Sequence, residues 1–109
     1  MANNYKFKGV ALATGSETAL LTAASTETII IKSIRVTNNT ANTPTISMDV
    51  LDSSQSNTEF TILNTQSLAA NTSVEILTVP LVLEKSDALK ATISSTDSIH
   101  IGISFLSIT

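Results

Sequence analysis

The stretch from Thr28 to Asn38, TIIIKSIRVTN, limits the fold more than any other part of this sequence. The three isoleucines at 29–31 have stiff β-branched side chains that fit a pleated sheet better than a helix. From Lys32 onward apolar and polar residues alternate, with Ile34 and Val36 on one face, as in a half-buried strand. This stretch therefore predicts a central strand, and we expect residues 29–31 to be buried on both faces.

The same alternation recurs along the chain in short segments that are separated by turn-forming residues. The predicted strands are 5–12, 19–21, 28–38, 45–52, 58–63, 74–79, 88–93 and 98–108, and the segment 81–86 is expected to return apolar residues to the core before a turn at 84–87. A short helix is the alternative for residues 19–21, because Ala and Leu are good helix formers. The pattern predicts an all-β fold: one antiparallel β-sandwich or jelly-roll-like domain of about eight short strands over residues 1–109. Residues 1–4 are expected to form a flexible N-terminal arm.

Composition excludes several classes of function. The 109 residues carry a net charge of −3 and no cysteine, so clustered basic charge for a nucleic-acid backbone and thiolate chemistry are both missing. No apolar run is long enough for a membrane span, and MANNYKFKG has no apolar core of a signal peptide. We therefore expect no direct nucleic-acid partner, no membrane partner and no Sec-type export.

No residue pattern in the sequence indicates catalysis, so we expect a protein that is not an enzyme and needs no cofactor. His100 is the single histidine, and the serines lack the motifs of known nucleophiles. The acidic groups at 49, 52 and 59 and at 84 and 87 could supply oxygen ligands to Ca²⁺, but neither has the spacing of a recognised calcium loop. We interpret them as solvated or turn-capping groups.

Protein–protein contacts are the remaining chemistry that the sequence supports. Basic side chains alternate with aromatic ones near the N-terminus, two more cations follow the central apolar run, and two polar loops come after strands. A solvated strand face is the alternative for the cations, although Arg is common at interfaces. The candidate contact residues are Tyr5, Lys6, Phe7, Lys8, Lys32, Arg35, Asn38, Asn39, Asn42, Asp52 and Gln55.

An ordered set of features gives the chain a family resemblance. YKFKG at 5–9 precedes a hydrophobic strand that ends in an Asn-rich loop, and LAANT at 68–72 precedes the apolar hairpin LVLEKSDALKA at 81–91. This order resembles that of the small β-sandwich structural proteins of tailed-bacteriophage virions. The resemblance implies a virion component that is assembled in the host cytoplasm.

The most specific function implied is that of a capsid decoration or cement protein, which binds the major capsid protein or other virion proteins and forms a homo-oligomer. Two alternatives stay open. One is a structural protein of the neck, tail or fibre attachment, and the other is an adhesin module that binds host glycans. The small number of aromatic residues, three Phe and one Tyr, counts against the adhesin.

Overall fold

The computed structural model describes residues 2–109, and this part of the chain consists of β-strands, loops and one short 3₁₀ helix. The strands are β1 (Asn3–Leu12), β2 (Thr18–Thr22), β3 (Thr28–Asn38), β4 (Thr45–Asp52), β5 (Thr58–Ser67), β6 (Thr72–Glu75), β7 (Leu81–Leu83), β8 (Ala88–Ile93) and β9 (Ile99–Ile108). The 3₁₀ helix, Ser53–Gln55, lies between β4 and β5. No helix within residues 2–109 is long and apolar enough to span a membrane.

The strands form two antiparallel sheets. The first sheet has the order β1-β9-β3-β6, with β7 also paired to β3, and the second sheet has the order β2-β8-β4-β5. Strands β6 and β7 lie one after the other along the same edge of β3. If β6 and β7 are counted as one interrupted strand, each sheet has four strand positions. The β4–β5 hairpin then stays within one sheet, and all the other connections cross between the sheets. This is the eight-strand, double-sheet arrangement of a jelly roll, as the sequence predicted.

The core lies between the inner faces of the two sheets. Alternate residues of the long strands point inward, which follows directly from the period of two along a β-strand. The largest fully buried side chains are Leu20, Ile29, Ile31, Ile34, Ile46, Met48, Leu83, Leu89, Ile93, Ile99, Ile101 and Ile103. Each buried aliphatic side chain of this kind contributes roughly 1.5–3 kcal/mol relative to exposure. Apolar burial along both sheets therefore stabilises the sandwich.

Strand β3 pairs with three other strands, and its alternation is interrupted once. Ile29 and Ile31 point into the core, and a β-bulge between Ile31 and Ser33 restores inward orientation at Ile34. The expectation that residues 29–31 are buried on both faces is wrong for Ile30, which is only half-buried on the outer face. The bulge also marks the point where the partner of β3 changes from β7 to β6.

The observed strands agree with the predicted segments in part. Residues 19–21 form strand β2 and not a helix. The expected N-terminal arm is wrong for Asn3 and Asn4, which pair with β9, while Met1 lies outside the described residues. The strand predicted over 74–79 is also displaced, because β6 ends at Glu75. There the Glu75 carboxylate, instead of a continuing strand, accepts a hydrogen bond from the amide of Ile34 at 2.8 Å.

Candidate functional site

The outer face of the first sheet carries a continuous line of apolar side chains, which we call the apolar row. Tyr5 on β1 pairs with Leu106 on β9, Leu106 pairs with Ile30 on β3, and Ile30 pairs with Val82 on β7. Tyr5 is 79% exposed and Val82 is 50% exposed. Side chains at paired positions lie about 5 Å apart, so these four residues form one patch that crosses the sheet from edge to edge.

A groove lies beside the apolar row on the same face. We call it the glycine groove and define it by Phe7, Gly9, Arg35, Thr37, His100 and Gly102, which lie on β1, β3 and β9; it has a volume of about 510 Å³. Gly9 pairs directly with Gly102, and Gly102 pairs in turn with Arg35. Two adjacent strands thus lack a side chain at the same level, which leaves a depression in the sheet.

Phe7 forms one wall of the glycine groove. A Cβ atom on Gly102 would lie 3.0 Å from Cε1 and 3.1 Å from Cζ of the Phe7 ring, which is closer than packed atoms normally approach. The ring therefore rests on the glycine backbone, and Phe7 as a whole is still 70% exposed. A strand glycine that permits such a close approach has a packing reason to be glycine.

Arg35 supplies positive charge to the glycine groove. Both ion pairs within residues 2–109 involve Lys90 on the other sheet, so Arg35 belongs to neither, although its charge acts on the neighbouring Glu75 carboxylate. Its cross-strand neighbour Glu75 is held in place by hydrogen bonds from the Ser33 hydroxyl and from the amides of Ile34 and Leu77. Burial acts to raise the pKa of Glu75, but these hydrogen bonds, with the Arg35 charge, outweigh it and lower the pKa.

His100 lines the polar end of the groove, and Asn39 contacts it from outside the lining. The Asn39 amide nitrogen lies 3.1 Å from Nδ1 of His100. Because an amide NH₂ can only donate, Nδ1 accepts and the ring proton of neutral His100 lies on Nε2. His100 is exposed, which agrees with its expected place on the outward side of β9.

Lys6 and Lys8 do not share a face with Tyr5 and Phe7, because side chains alternate along β1. Both lysines are exposed even though they point to the core side of the sheet. Lys6 lies near Glu27, whose pKa is lowered first by the hydrogen bond from the Ala24 amide, then by the Ser107 hydroxyl against opposing burial, and last by the Lys6 charge. The expected contact segment thus presents aromatic rings on one side and cations on the other.

Asn38 is the clearest correction to the expected contact residues. It is only 1% exposed, so its side chain is not available to a partner. Its amide nitrogen donates to the carbonyls of Asn42, Leu68 and Ala69, and its amide oxygen accepts from the amide and hydroxyl of Thr40. Asn38 therefore joins two loops from inside the protein.

The other expected contact residues are dispersed. Lys32 is exposed at the bulge, and Asn42 donates to Asp97 at 2.8 Å. At the opposite end of the sandwich, Asp52 caps the 3₁₀ helix by accepting from the Ser54 amide at 3.0 Å, and Gln55 is exposed. The structure thus brings Phe7 and Arg35 around one groove, with Asn39 in contact with its His100, but does not bring Asp52 or Gln55 to it.

The outer face of the second sheet carries an acidic cluster. Ligand oxygens of Glu17, Asp49 and Glu59 lie within 4.8 Å of one another. The Nζ atom of Lys90 is 3.7 Å from Glu17 and 3.8 Å from Glu59. Burial and then the Glu59 charge raise the pKa of Glu17, and Lys90 opposes them. The sequence expectation of a solvated acidic group agrees with Asp49 and Glu59, whereas Asp52 lies outside this cluster.

The second expected acidic pair forms a turn. Asp87 is 4% exposed and accepts hydrogen bonds from the amides of Ser53 and Glu84, at 2.9 and 3.0 Å. Both carboxylate oxygens are used in these bonds, so Asp87 is a turn-capping group, as interpreted from the sequence.

Several residues of this surface were missed by sequence reasoning. Ile30, Leu106 and Val82 of the apolar row, and Gly9 and Gly102 of the groove, come together only through the register between strands. The alternating pattern of β9 did place Gly102 and His100 on one outward face. A glycine within an otherwise regular strand is the signal that could have indicated a close approach there.

No protein-family model matches the chain, and no curated protein matches it significantly. Among solved structures, it is similar to a protein of the Bacillus endospore appendages, which are disulfide-linked pili, with a TM-score of 0.57, 9% identity, and coverage of 97% of this chain and 84% of that one. It is similar to a chain of the infectious bursal disease virus particle, with a TM-score of 0.57, 10% identity and 96% of this chain covered. This chain spans only 30% of that viral chain.

A third similar structure is the nucleoplasmin-like N-terminal domain of Drosophila FKBP39, with a TM-score of 0.56 and 13% identity over 96% of this chain and 91% of that domain. At these identities the three likenesses concern the fold alone. They agree with the two-sheet, jelly-roll-like architecture that the strand order gives.

Proposed function

We propose that this protein is a structural subunit of a virion, and more specifically a decoration or cement protein of a tailed-bacteriophage capsid. The observation that carries this proposal is the apolar row, in which Tyr5 and Val82 stay exposed at the two edges of the first sheet. A neighbour that covers this row removes apolar surface from water, at roughly 25 cal/mol per Å² buried. The similar fold in a viral particle supports the proposal.

The mechanism follows from mass action. A surface that is buried only in the assembled particle stabilises the assembled state over the free subunit. The proposed partners are the major capsid protein and further copies of this chain, and the proposed location is the virion. The apolar row would face the partner, and no catalytic step or cofactor is needed.

Counting the copies of the protein in purified virions tests this function. Quantitative mass spectrometry against an isotope-labelled standard should give a number comparable to that of the major capsid protein. A few copies per particle would contradict the decoration role and support the alternative of a neck, tail or fibre-attachment protein. Absence from purified particles would contradict the virion proposal itself.

The homo-oligomer is tested separately in solution. Light scattering with size-exclusion chromatography on the purified chain should give a mass that is a multiple of the protomer mass of 11.5 kDa. A protein that stays monomeric at every accessible concentration would contradict self-association and leave the shell contact as the only use of the apolar row.

A further inference from the structure

We infer that the glycine groove is a binding site for a carboxylate-bearing sugar, such as a uronic acid residue of an acidic glycan. This inference is independent of the proposed virion role, because it concerns the groove and not the apolar row. It assigns one ligand class to the groove from its apolar wall, its polar lining and its charge.

The floor of the groove is formed by two glycines and the aromatic ring above them. Gly9 and Gly102 face each other across β1 and β9, and the Phe7 ring lies over both, so a ligand in the groove meets the outer face of that ring. The volume of about 510 Å³ lies in the range of small-molecule sites. It is enough for one or two sugar rings.

The wall of the groove offers an apolar face. The Phe7 ring packs against the Gly102 backbone, since a Cβ atom at Gly102 would lie 3.0 and 3.1 Å from two ring carbons. Phe7 as a whole is largely exposed to solvent. An aromatic ring held in this way provides a large apolar contact at low entropic cost. The C–H face of a pyranose ring can pack against this aromatic ring, whereas phosphate has no apolar surface to contact it.

The remaining groups select for an anion with hydroxyls. Arg35 has a planar set of donors that matches a carboxylate, and neither ion pair within residues 2–109 uses it. The Ser104 hydroxyl lines the same groove, beside the hydroxyls of Ser33 and Thr37, which already bond Glu75 and Ser73. Neutral His100 carries its ring proton on Nε2. One carboxylate, several hydroxyls and one apolar ring face are the features of an acidic sugar.

Two-dimensional NMR with matched probes tests the inference on the full chain. The probes are methyl β-D-glucuronide and methyl β-D-glucoside, which differ only in the carboxylate. The chain has three glycines, and their amide signals act as reporters: Gly9 and Gly102 lie in the groove, and Gly15 lies in the loop between β1 and β2. Saturable shifts at Gly9 and Gly102, without a shift at Gly15, are expected with the glucuronide.

Two charge-matched variants complete the test. Arg35→Gln should weaken glucuronide binding by roughly tenfold or more, because a charge-assisted hydrogen bond is lost. Lys32→Gln removes the same charge from the same strand outside the groove lining, and should leave the affinity within about twofold because exposed charges interact weakly. The undisturbed amide spectrum of each variant verifies its fold.

Three results would overturn the inference. The first is the absence of saturable shifts at Gly9 and Gly102. The second is equal binding of the glucoside, or equal loss in both variants, since either removes the role of the carboxylate and Arg35. The third is equal or tighter binding of N-acetyl-glutamate amide, which would assign the groove to an acidic protein side chain and not to a sugar.

Discussion

The two sheets of this protein are alike on their inner faces and opposite on their outer faces. Inside, both present Leu and Ile at alternate positions. Outside, the apolar row of the first sheet runs Tyr5, Leu106, Ile30, Val82. The corresponding line of the second sheet runs Ala19, Lys90, Asp49, Thr61.

The difference separates what the fold requires from what it leaves free. A sandwich needs one apolar face per sheet, and water can satisfy the other. The charged face of the second sheet is suited to solvent. The outer face of the first sheet is more apolar than folding requires, which makes it the better candidate for a partner.

Substitution of a buried polar residue of the first sheet has the largest expected effect. Asn38 is the buried polar residue at the end of β3, with five hydrogen bonds to loop groups. Asn38→Ala should lower the free energy of unfolding by about 3 kcal/mol, because carbonyls and an amide near it lose their partners while buried. Urea denaturation monitored by circular dichroism measures this loss.

The neighbouring residue provides the control. Asn39 is exposed, and within residues 2–109 its side chain bonds only that of His100, so Asn39→Ala should cost less than about 0.5 kcal/mol. If both variants lost the same stability, Asn38 would not have the structural role assigned to it.

Introducing one lysine on the outer face of each sheet tests which face mediates self-association. Val82→Lys introduces an ammonium group into the apolar row and should weaken self-association by at least about tenfold, the effect of 1.4 kcal/mol. Thr61→Lys places the same group on an exposed position of the second sheet. It should leave association unchanged. Analytical ultracentrifugation over a concentration series measures both.

Equal effects of the two lysines would contradict the assignment of the assembly surface to the first sheet. A loss of stability in Val82→Lys alone would point to an edge-strand role for this residue. Thermal unfolding of both variants separates that result from a loss of association.

The inner faces could be predicted from the sequence because they depend on local periodicity. Strands β4 and β9 alternate without help from other segments, so Ile46, Met48, Ile101 and Ile103 were assigned correctly. The end of β6 could not be predicted, because it depends on hydrogen bonds between Glu75 and Ile34, which are 41 residues apart.

The candidate site was predictable only in part, because it too depends on contacts between residues far apart in the sequence. Tyr5, Phe7 and Arg35 were identified from their residue types. Their neighbours on the sheet depend on register, which no single strand reveals. Asn38 was misassigned to a surface loop because Asn favours turns, whereas one of its buried partners, Leu68, lies 30 residues away.

Two carboxylates, one associated with each sheet, should affect stability in opposite ways as the pH changes. Glu75 on the first sheet has a lowered pKa, so it stabilises the fold above its ordinary pKa of 4.5, and this contribution is lost as pH falls through its lower folded value. Glu75→Gln should cost about 1 kcal/mol at pH 7, since the hydrogen bonds lose their charge at an exposed position. The difference from the parent protein should shrink in acid. Urea denaturation from pH 7 to pH 3 checks this, and a constant difference would contradict it.

Glu17, which directly precedes β2 of the second sheet, should show the opposite pH dependence, with the smallest expected effect on stability. Its pKa is raised by burial and by Glu59, so its contribution to stability is present in acid and is lost as pH rises through its folded pKa. Glu17→Gln should therefore raise stability at pH 7 by a few tenths of a kcal/mol, with Lys90 still paired to Glu59. The gain should vanish at low pH, where Glu17 is protonated in the parent protein. Destabilisation at pH 7 would show instead that the contact with Lys90 outweighs the repulsion among the carboxylates.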